Sequence, residues 1–322
     1  MHIVTGGAGF IGSAFVAELN NRGINDILIV DELGSSEKWK NLVNLNFTDY
    51  INKDDFYELV DSGCFDDAKS VVHMGACSST TETNAEYLYD NNFLYSKHLA
   101  EWALENSIKF IYASSAATYG SGNDGFDDND QLTPSLKPLN MYAYSKLLFD
   151  KWVLSNKLES KLTGIRFFNV FGPNEYHKAD MRSVAKKAFE QINDKGFVEL
   201  FKSYHPDYAD GEQVRDFIYI KDCTKVMAQM LELDTFKGIY NLGTGKARSW
   251  KDLVSAVFNA MGKNPDIRFI EMPQHLRDKY QYKTEATIAK LRSAGFRDEF
   301  TSLEDAVTDY VQNYLMKEDA YL

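Results

Sequence analysis

Short runs of apolar residues alternate with helix-like stretches through the first half of the chain. Such runs predict buried strands, whereas apolar positions that recur every three or four residues predict amphipathic helices. The predicted strands are residues 3–5, 27–30, 70–73, 110–113 and 163–168, and the predicted helices are residues 9–22 and 142–154. Strands that alternate with helices indicate right-handed crossovers, so we expect an α/β fold built on a doubly wound parallel sheet.

The pattern is more mixed in the second half of the chain. A polar stretch rich in Asp and Gly predicts a surface loop over residues 120–130, and a tyrosine- and acid-rich stretch predicts another over 203–212. A strand is predicted near 217–220, with helices near 222–233, 251–261 and 303–315. We expect residues 1–170 to form a Rossmann-type domain and residues 171–322 to form mainly a smaller C-terminal α/β lobe for the substrate, with segments that return to the main domain.

Composition and charge narrow the class of ligand. A chain of 322 residues with 44% apolar content can bury a large core and suits two lobes around one cleft. The formal charge of -12 argues against nucleic acid or a membrane surface as partner, so an anionic ligand needs a local basic cluster. The three cysteines predict neither a disulfide framework nor a metal site. The chain shows no signal-peptide or membrane-spanning pattern, which predicts a cytoplasmic protein.

The clearest motif is a glycine turn directly after the first predicted strand. Gly6, Gly9 and Gly12 have the spacing G-x-x-G-x-x-G where the strand gives way to a helix. Glycine allows a tight turn and lets the backbone approach a pyrophosphate, and the N–H groups of the helix N-terminus bind the anion. A strand-to-helix turn without a ligand can also be rich in glycine. The strand–turn–helix context near the start of the chain favours dinucleotide binding.

The second predicted strand ends in acidic residues that bear on the choice of cofactor. Asp31 and Glu32 follow the glycine turn by roughly 20 residues, where an acid hydrogen-bonds the adenosine ribose and favours NAD. Lys38 and Lys53 favour NADP, because either ammonium could neutralise its extra phosphate. Both lysines can equally be solvated surface charges. The residues alone leave NAD and NADP open.

A Tyr-x-x-x-Lys motif lies at Tyr142 and Lys146, at the start of a predicted helix. The spacing places both side chains on one face, a single turn apart. A phenol with a pKa of about 10 accepts protons poorly at neutral pH, and a neighbouring cation lowers that pKa by stabilising the phenolate. No other tyrosine in the sequence has a lysine four positions later. The pair is a candidate acid/base, although a half-buried aromatic beside a surface lysine has the same spacing.

Small hydroxyl residues follow the predicted strand 110–113, in the run from Ala113 to Thr118. Residues there lie at the carboxyl edge of a parallel sheet, where doubly wound folds bind ligands. Ser115 is therefore a candidate to hold a substrate oxygen beside Tyr142, although serines at strand ends are often only turn formers or caps. The glycine turn, the serine run and Tyr-x-x-x-Lys, in this order, are the pattern of the extended short-chain dehydrogenase/reductase superfamily, which this chain resembles.

A more specific resemblance is to the ADP-glyceromanno-heptose 6-epimerases. It rests on stretches spread over nearly the whole chain, of which the run Gly-Ala-Cys-Ser-Ser-Thr-Thr-Glu at 75–82 is the least generic. The resemblance implies one tightly bound NADP per subunit. It implies that the cofactor is bound by Gly6, Gly9, Phe10, Ile11, Gly12, Asp31, Glu32, Lys38, Lys53, Met74, Gly75, Ala76, Cys77, Ser78, Asn91, Lys146, Val170 and Lys178.

The same resemblance implies the reaction, an inversion at C6 that interconverts two epimers of an ADP-activated heptose. Inverting a carbinol centre that is not acidic requires hydride to leave, which gives a ketone, and to return to the opposite face. Tyr142 and Lys178 would be the two acid/base groups, one for each epimeric hydroxyl, with Lys146 and Ser115 assisting. Lys178 also lies in a basic run, so it could instead be one more cation near a diphosphate.

The resemblance implies a set of substrate contacts in which this chain departs from the family pattern. The implied residues are Ser115, Asn169, Asp180, Lys187, Phe201, Lys202, Ser203, Tyr204, Arg215 and Tyr280. Arg215 suits a diphosphate because a guanidinium offers a bidentate fork. Asp180 replaces a small serine, Lys187 stands at a histidine-like position, and the loop after Phe201 is longer. The departures therefore concern substrate contacts rather than cofactor contacts.

Other functions compete with this one. A sugar 4,6-dehydratase would carry an Asp-Glu pair where this chain has Ala116 and Ala117, which argues against dehydration. A UDP-sugar 4-epimerase shares the glycine turn, the serine and Tyr-x-x-x-Lys, and is the nearest alternative. A non-catalytic NADP-sensing protein could lose the Tyr or the Lys, and both are present. The resemblance also implies a homo-oligomer and a role in supplying heptose for the lipopolysaccharide core.

Overall fold

The computed structural model describes residues 1–277 and 280–322. Its strands are β1 (His2–Thr5), β2 (Ile27–Asp31), β3 (Asp49–Asn52), β4 (Ser70–His73), β5 (Lys109–Ser115), β6 (Leu162–Phe167), β7 (Asn169–Phe171), β8 (Val198–Phe201), β9 (Val214–Tyr219), β10 (Gly238–Leu242), β11 (Ala247–Ser249) and β12 (Ile267–Ile270). Its helices are α1 (Phe10–Asn21), α2 (Lys53–Asp61), α3 (Ala85–Leu88), α4 (Tyr95–Glu105), α5 (Met141–Ser155), α6 (Val184–Lys195), α7 (Ile220–Glu232), α8 (Trp250–Ala260), α9 (Gln274–Arg277), α10 (Ala289–Ser293) and α11 (Leu303–Tyr310).

The main sheet is parallel, with the strand order β3-β2-β1-β4-β5-β6-β10. The chain winds outward from β1 to β3, returns to β4, and then winds out on the other side. This reversal makes a switch point between β1 and β4, whose last residues, Thr5 and His73, are paired in register. Ligands bind outside the carboxyl ends of the strands at such a point. The arrangement confirms the predicted α/β fold with a doubly wound parallel sheet.

Alternation along the strands divides the core into two layers, one on each face of the sheet. Val4 of β1 faces a core formed with α1, α6, α7, α8 and α11, whereas its neighbour Ile3 faces a core formed with α2, α4 and α5. Parallel strands are buried on both faces, which explains their nearly continuous apolar sequence. Two smaller sheets, β11-β9-β7 and β12-β8, continue from the first of these layers.

Short 3-10 and π turns connect or extend the regular elements. The 3-10 turns are Glu37–Leu42, Ala116–Tyr119, Asp130–Ser135 and Tyr176–Met181, and the π turns are Tyr89–Leu94 and Val311–Leu315. One of them refines the sequence interpretation. The helix predicted over 303–315 ends its α-helical part at Tyr310 and continues as a π turn. The π turn at 89–94 joins α3 to α4, and a widened turn of this kind often marks a functional site.

The sequence interpretation was wrong at two further places in the fold. The stretch 120–130 is not wholly a surface loop, because Phe126 and Asp128 are buried. The Asp128 carboxylate accepts a hydrogen bond of 2.9 Å from the N–H of Asn241 in β10, which draws this loop onto the sheet. The strand predicted near 217–220 begins earlier, at Val214, and Ile220 already belongs to α7. The division into domains at residue 170 stays a prediction.

Within residues 1–277 and 280–322, none of the helices is both long and apolar enough to cross a bilayer. No group of three or more His, Cys, Asp or Glu side chains within those ranges is arranged to hold a metal ion.

Candidate active site

A cleft with a volume of about 730 Å³ opens at the carboxyl ends of β1, β4 and β5. Its walls include every residue that the sequence analysis named for the cofactor, from the glycine turn to Lys178. They also include the four candidate catalytic residues Ser115, Tyr142, Lys146 and Lys178. The volume lies in the range of small-molecule sites. The fold therefore brings segments distant in sequence to one place.

The glycine turn forms the floor of the cleft and tolerates no larger residue at two positions. Gly6 has a φ of 64°, and a Cβ there would lie 2.6 Å from the backbone nitrogen of Gly75. A Cβ on Gly12 would lie 2.1 Å from the carbonyl oxygen of Gly6. Gly9 is the N-cap of α1 and has no side chain to offer, so the N–H groups of the first turn are left for a ligand. The turn thus fits the pyrophosphate of a dinucleotide.

Asp31, at the end of β2, supports the glycine turn. Its buried carboxylate accepts hydrogen bonds from the N–H of Ala8 at 2.8 Å and of Glu32 at 2.7 Å, and it forms an ion pair with Lys38. Lys53 lies 3.8 Å from the Glu32 carboxylate and 3.0 Å from that of Asp54. Both candidate lysines therefore line the cleft and are also ion-paired, so their surface-charge and ligand-binding roles are compatible.

The second cofactor segment, which follows β4, is anchored by a buried histidine. The Ser96 hydroxyl donates to the Asn92 carbonyl at 2.6 Å, so it accepts from His73 Nε2 at 2.8 Å. His73 Nδ1 then accepts from the Thr5 hydroxyl at 2.6 Å, and the Thr5 oxygen accepts from the Gly75 N–H at 3.2 Å. Burial lowers the pKa of His73 to about 3, with a further contribution from Lys146. A neutral imidazole thus holds the two turns together.

Asn92, in the π turn, is a site residue that the sequence analysis did not assign. Its side-chain oxygen accepts from the Cys77 N–H at 2.8 Å, and its amide donates to the Cys77 carbonyl at 2.9 Å. The same amide donates to the Ser145 hydroxyl at 3.0 Å, next to Lys146 on α5. Its side chain is fully buried. Asn92 therefore positions both the cofactor segment and the catalytic helix. The sequence analysis named its neighbour Asn91 and did not indicate this role.

Tyr142 and Lys146 lie as predicted, one turn apart on α5, which begins after the N-cap residue Asn140. Lys146 is buried and donates a hydrogen bond of 2.9 Å to the carbonyl of Ala113 in β5. Burial raises the pKa of Tyr142, and a hydrogen bond with Ser115 opposes that shift. The predicted lowering of this pKa by Lys146 is therefore wrong, because burial raises the pKa of Tyr142 and the ammonium of Lys146 donates to β5.

Ser115 both caps a turn and lines the cleft. Its hydroxyl oxygen accepts a hydrogen bond of 3.1 Å from the N–H of Ala117 and so caps the 3-10 turn that follows β5. Ser115 also lines the cleft together with Tyr142. The turn-forming role is therefore compatible with the predicted role beside the phenol, which stays a prediction.

Lys178 lines the cleft and lies on the 3-10 turn Tyr176–Met181. Its Nζ lies 5.3 Å from the centre of the Phe10 ring. Burial lowers the pKa of Lys178, and Glu175 opposes that shift. The buried Glu175 carboxylate anchors the turn by accepting from the hydroxyls of Ser183 at 2.7 Å and Tyr310 at 2.9 Å. A lysine with a lowered pKa is a better base at neutral pH than an exposed one.

The candidate substrate residues divide into two groups. Ser115 and Asn169 line the cleft. Among the described residues, the following do not line the cleft: Asp180, Lys187, Phe201, Lys202, Ser203, Tyr204, Arg215 and Tyr280. Lys187 donates to the backbone oxygen of Asp180 at 2.6 Å, at the outer end of the Lys178 turn. Two of the ten candidate substrate residues therefore belong to the cleft wall, and a contact of the other eight with substrate stays a prediction.

Arg215 approaches the cleft through an aromatic stack. Its buried guanidinium lies 5.4 Å from the centre of the Trp250 ring, and Trp250 is a cleft wall. On another side it lies 5.3 Å from the ring of Tyr280, whose hydroxyl accepts from Trp250 Nε1 at 3.0 Å. Burial lowers the pKa of Arg215. Trp250 was not found from the sequence, because it lies next to Arg215 only through the pairing of β11 with β9.

The loop after Phe201 packs on the segment that follows β12. Lys202 forms an ion pair of 2.7 Å with Glu271, which also accepts a hydrogen bond from the Tyr204 hydroxyl. The Tyr204 backbone N–H donates to the Tyr282 hydroxyl at 3.2 Å, and the Ser203 N–H donates to the Asp210 carboxylate at 2.7 Å. These polar groups of the loop are therefore bonded to other protein groups, in the loop itself and in the segment after β12.

Comparison with known proteins gives consistent results. The model of the NAD dependent epimerase/dehydratase family matches residues 2–243. A relative from Nitratidesulfovibrio vulgaris named ADP-L-glycero-D-manno-heptose-6-epimerase is 56% identical over 323 residues, which cover 100% of both chains. Among solved structures, ADP-L-glycero-D-manno-heptose-6-epimerase from Helicobacter pylori matches with a TM-score of 0.80 and 28% identity, covering 97% of this chain and 95% of that one.

A second solved structure tests how far the fold alone discriminates. UDP-N-acetylglucosamine 4-epimerase from Methanobrevibacter ruminantium also matches with a TM-score of 0.80, at 26% identity, over 97% of this chain and 96% of that chain. The two epimerases act at different sugar carbons, as their names state. Backbone similarity therefore identifies the fold, and the sugar nucleotide has to be argued from sequence identity and from the site.

Proposed function

Because the chain belongs to the NAD dependent epimerase/dehydratase family, we propose that it interconverts ADP-D-glycero-D-manno-heptose and ADP-L-glycero-D-manno-heptose by inversion at C6. The observation that carries the proposal is the pair of candidate proton carriers, Tyr142 on α5 and Lys178 on the turn Tyr176–Met181, in the walls of one cleft. An inversion can use a separate proton carrier for each of the two hydroxyl orientations, whereas a simple dehydrogenase uses one. The 56% identity to the relative named above supports the choice of sugar.

A nicotinamide cofactor fits the residues of the cleft. The glycine turn leaves room for the backbone to approach a pyrophosphate, and the segment Met74 to Ser78 lines the cleft beside it. The bound cofactor supplies the acceptor for the C6 hydride and its return, so that the reaction has no net redox change. We further propose NADP rather than NAD, supported by Lys38 and Lys53 at the wall beside Asp31 and Glu32.

The residues of this chain would handle the protons. Tyr142 would take the proton of one C6 hydroxyl as hydride leaves, with the Ser115 hydroxyl holding the same oxygen. The buried Lys146 ammonium would stabilise the phenolate once a ligand draws it from the Ala113 carbonyl. After the ketone presents its other face, Lys178 would donate the proton for the new hydroxyl. The lowered pKa of Lys178 supports an exchange of protons near neutral pH.

The remaining parts of the proposal concern the nucleotide and the cellular setting. Among the described residues, the Arg215 guanidinium donates to the carbonyls of Val214 at 2.9 Å and of Gln281, which uses two of its five N–H groups. Its other N–H groups would bind the diphosphate. Asn169, Asp180, Lys187, Tyr280 and the stretch 201–204 would form the rest of the nucleotide-sugar contacts. We also propose a homo-oligomeric, cytoplasmic enzyme that supplies heptose for the lipopolysaccharide core.

A UDP-sugar 4-epimerase is the second candidate, favoured by the equal TM-score of the Methanobrevibacter enzyme. The two functions share the glycine turn, Ser115, Tyr142 and Lys146. They differ in the need for Lys178 and in the nucleobase. Turnover of ADP-heptose against UDP-galactose therefore separates them.

The test is an incubation of purified protein with ADP-D-glycero-D-manno-heptose and without added cofactor, followed by proton NMR of C6. We expect conversion to the L-glycero epimer, release of NADP on denaturation, and a loss of kcat of about 10²–10⁴-fold in Tyr142→Phe with the cofactor retained. As a control, Tyr144→Phe removes an exposed hydroxyl on the same helix and should leave kcat unchanged. No conversion by folded, cofactor-loaded protein would overturn the heptose assignment and redirect the assay to UDP-sugars.

A further inference from the structure

Two consecutive residues of β5 are bonded to two positions on one face of α5. Tyr142, Lys146 and Asp150 are spaced four residues apart and therefore lie along one stripe of the helix. The Ala113 carbonyl accepts from Lys146 at 2.9 Å, and the Ser114 hydroxyl donates to the Asp150 carboxylate at 2.9 Å. Ser115, the next residue of β5, lines the cleft together with Tyr142. The strand and helix that carry the proposed chemistry are thus held in register at two points.

Asp150 is the point of this register that lies outside the cleft. Its side chain is fully buried, and it accepts four hydrogen bonds. Two come from β5, from the hydroxyls of Ser114 at 2.9 Å and Tyr112 at 3.2 Å. Two come from Arg166 of β6, from Nε at 3.0 Å and Nη2 at 2.9 Å. One carboxylate on α5 therefore joins two neighbouring strands of the sheet.

The charge of Asp150 is balanced by Arg166, which is also fully buried. Arg166 donates further to the hydroxyls of Tyr119 at 3.1 Å and Thr133 at 2.9 Å. A buried ion pair is not in itself good evidence for stability, because both charges lose their hydration. Hydrophobic residues of similar size would often serve stability as well. Stability alone therefore does not explain why this site has a charged, hydrogen-bonded pair.

We propose that Asp150 is a positioning residue for the proposed epimerisation, which fixes Ser115 and Lys146 relative to Tyr142 through its bond to Ser114. This inference rests on the function proposed above. Hydrogen bonds with a charged acceptor are short and directional, so they fix a distance more tightly than apolar packing does. A displacement of about 1 Å at reacting groups can cost about 10²-fold in rate. Asp150 does not line the cleft, so it acts indirectly, through Ser114.

The charges around Lys146 add a second link between Asp150 and the chemistry. Burial lowers the pKa of Lys146 to about 8, and Asp150 on the same helix is the main group that opposes this shift. Cys77 acts in the same direction from the segment after β4, and the neutral His73 of β4 and the phenol of Tyr142 complete the surroundings. Removing the Asp150 charge should therefore make Lys146 lose its proton at lower pH.

The experiment compares Ser114→Ala with Thr133→Val. Each removes one buried hydroxyl bonded to the Asp150–Arg166 pair. Of these two hydroxyls, that of Ser114 lies on β5, next to Ser115, and Ser114 also lines the cleft, whereas Thr133 lies on neither. We expect both to lower Tm by a few degrees and to retain cofactor. Ser114→Ala should lower kcat about tenfold or more with KM within about twofold, whereas Thr133→Val should leave kcat within about twofold. Assays use ADP-heptose, or UDP-galactose if the wild type converts only that sugar.

Asp150→Asn supplies the readout that a purely structural role would not move. If it folds, the high-pH decline of kcat should shift to lower pH than in the wild type, together with a lower maximum. Equal effects of Ser114→Ala and Thr133→Val on kcat, or no effect of Ser114→Ala, would overturn the positioning role. A wild type that converts UDP-galactose alone would instead overturn the proposed substrate and leave this comparison to decide on Asp150.

Discussion

Lys178 is followed by a residue in an unfavourable backbone conformation. Ala179 has a φ of 45° and a ψ of -121°, a region that residues with a Cβ rarely occupy. The turn is held in this shape by Glu175, which ties it to Ser183 and to Tyr310 of α11. Strain of this kind, about 1–3 kcal/mol, persists only where the surrounding structure enforces it, and it clusters at functional sites. The position of Lys178 is therefore built into the fold rather than left to a mobile side chain.

A first prediction separates the two interpretations of Lys178. Lys178→Met should lower kcat by about 10²-fold or more, because it removes one of two proton carriers. Lys186→Met removes a nearby cation, which is paired with Glu190, and should change KM by no more than a few fold. The measurement is steady-state epimerisation of ADP-heptose by both variants. If both variants raise KM to a similar degree and leave kcat unchanged, Lys178 is one more cation near a diphosphate.

A second prediction concerns acid stability. The pKa of His73 is lowered by burial to about 3 in the folded protein, against 6.5 for an unperturbed histidine. Below pH 6.5 the unfolded chain gains a proton here that the folded chain does not bind, so stability present above that pH is lost as the pH falls towards 3. At pH 5 the loss from this one group is about 2 kcal/mol.

Urea unfolding of wild type and His73→Gln at pH 7 and pH 5 measures this loss. The variant should be less stable at pH 7, because the bonds to Thr5 and Ser96 are disturbed, but it should lose about 2 kcal/mol less between the two pH values. His177, whose pKa burial lowers to about 4, contributes a similar loss to both proteins and cancels in the comparison. An identical pH dependence in both proteins would contradict a neutral His73.

At the level of the elements, the sequence predicted the inner strands of the main sheet and missed its two outer strands, β3 and β10. β2, β4 and β6 are buried along their whole length and β1 is buried except at His2, and each was predicted within one or two residues. β10 is also buried but was not predicted. β3 mixes exposed and half-buried residues, so it has no clear period. β7 and β11 have only three residues, too few for any periodicity. Short and edge strands depend on pairing partners that a local pattern does not contain.

A third prediction tests the turn that opens α1. Gly12→Ala places a Cβ against the Gly6 carbonyl, so the helix has to move away from the turn. The variant should be destabilised by about 1–3 kcal/mol and should lose bound cofactor. Gly23→Ala, just after α1, strains a φ of 77° but meets no atom within 4 Å. It should lose about 1–2 kcal/mol and keep its cofactor.

Cofactor released on denaturation, together with Tm, distinguishes the two glycine variants. If Gly12→Ala and Gly23→Ala retain equal amounts of cofactor, the turn can relax around the added Cβ and still bind the pyrophosphate.

Across the whole molecule, the residues that the sequence missed are those brought in by long-range packing. Asn92 reaches both Cys77 and Ser145, and Trp250 stacks on Arg215, yet none of these pairs is close in sequence. Ser115, Tyr142 and Lys146 were found because motifs carry them. No sequence motif indicated the buried Asp150–Arg166 pair, which is recognised only in the folded structure.

A fourth prediction concerns cooperativity. The first and second halves of the chain share one core layer, and α1 packs against α7, with an ion pair of 2.7 Å between Arg22 and Glu232. We therefore expect a single thermal transition for the full chain, and we expect the piece 1–170 to be poorly folded and unable to hold cofactor. Scanning calorimetry of both proteins is the test. Two separate transitions, or a stable 1–170 that binds NADP, would contradict a shared core.

The position of β10 has a consequence for how the protein is made. β6 ends at residue 167, and the strand that covers its free edge, β10, ends at residue 242. During synthesis at about 5–20 residues per second, the ribosome therefore exposes an unpaired β6 edge for several seconds before its neighbour can emerge. Such an edge is a template for pairing with another chain. The nascent protein accordingly passes through an interval of vulnerability to aggregation, and slower translation between these two strands would prolong it.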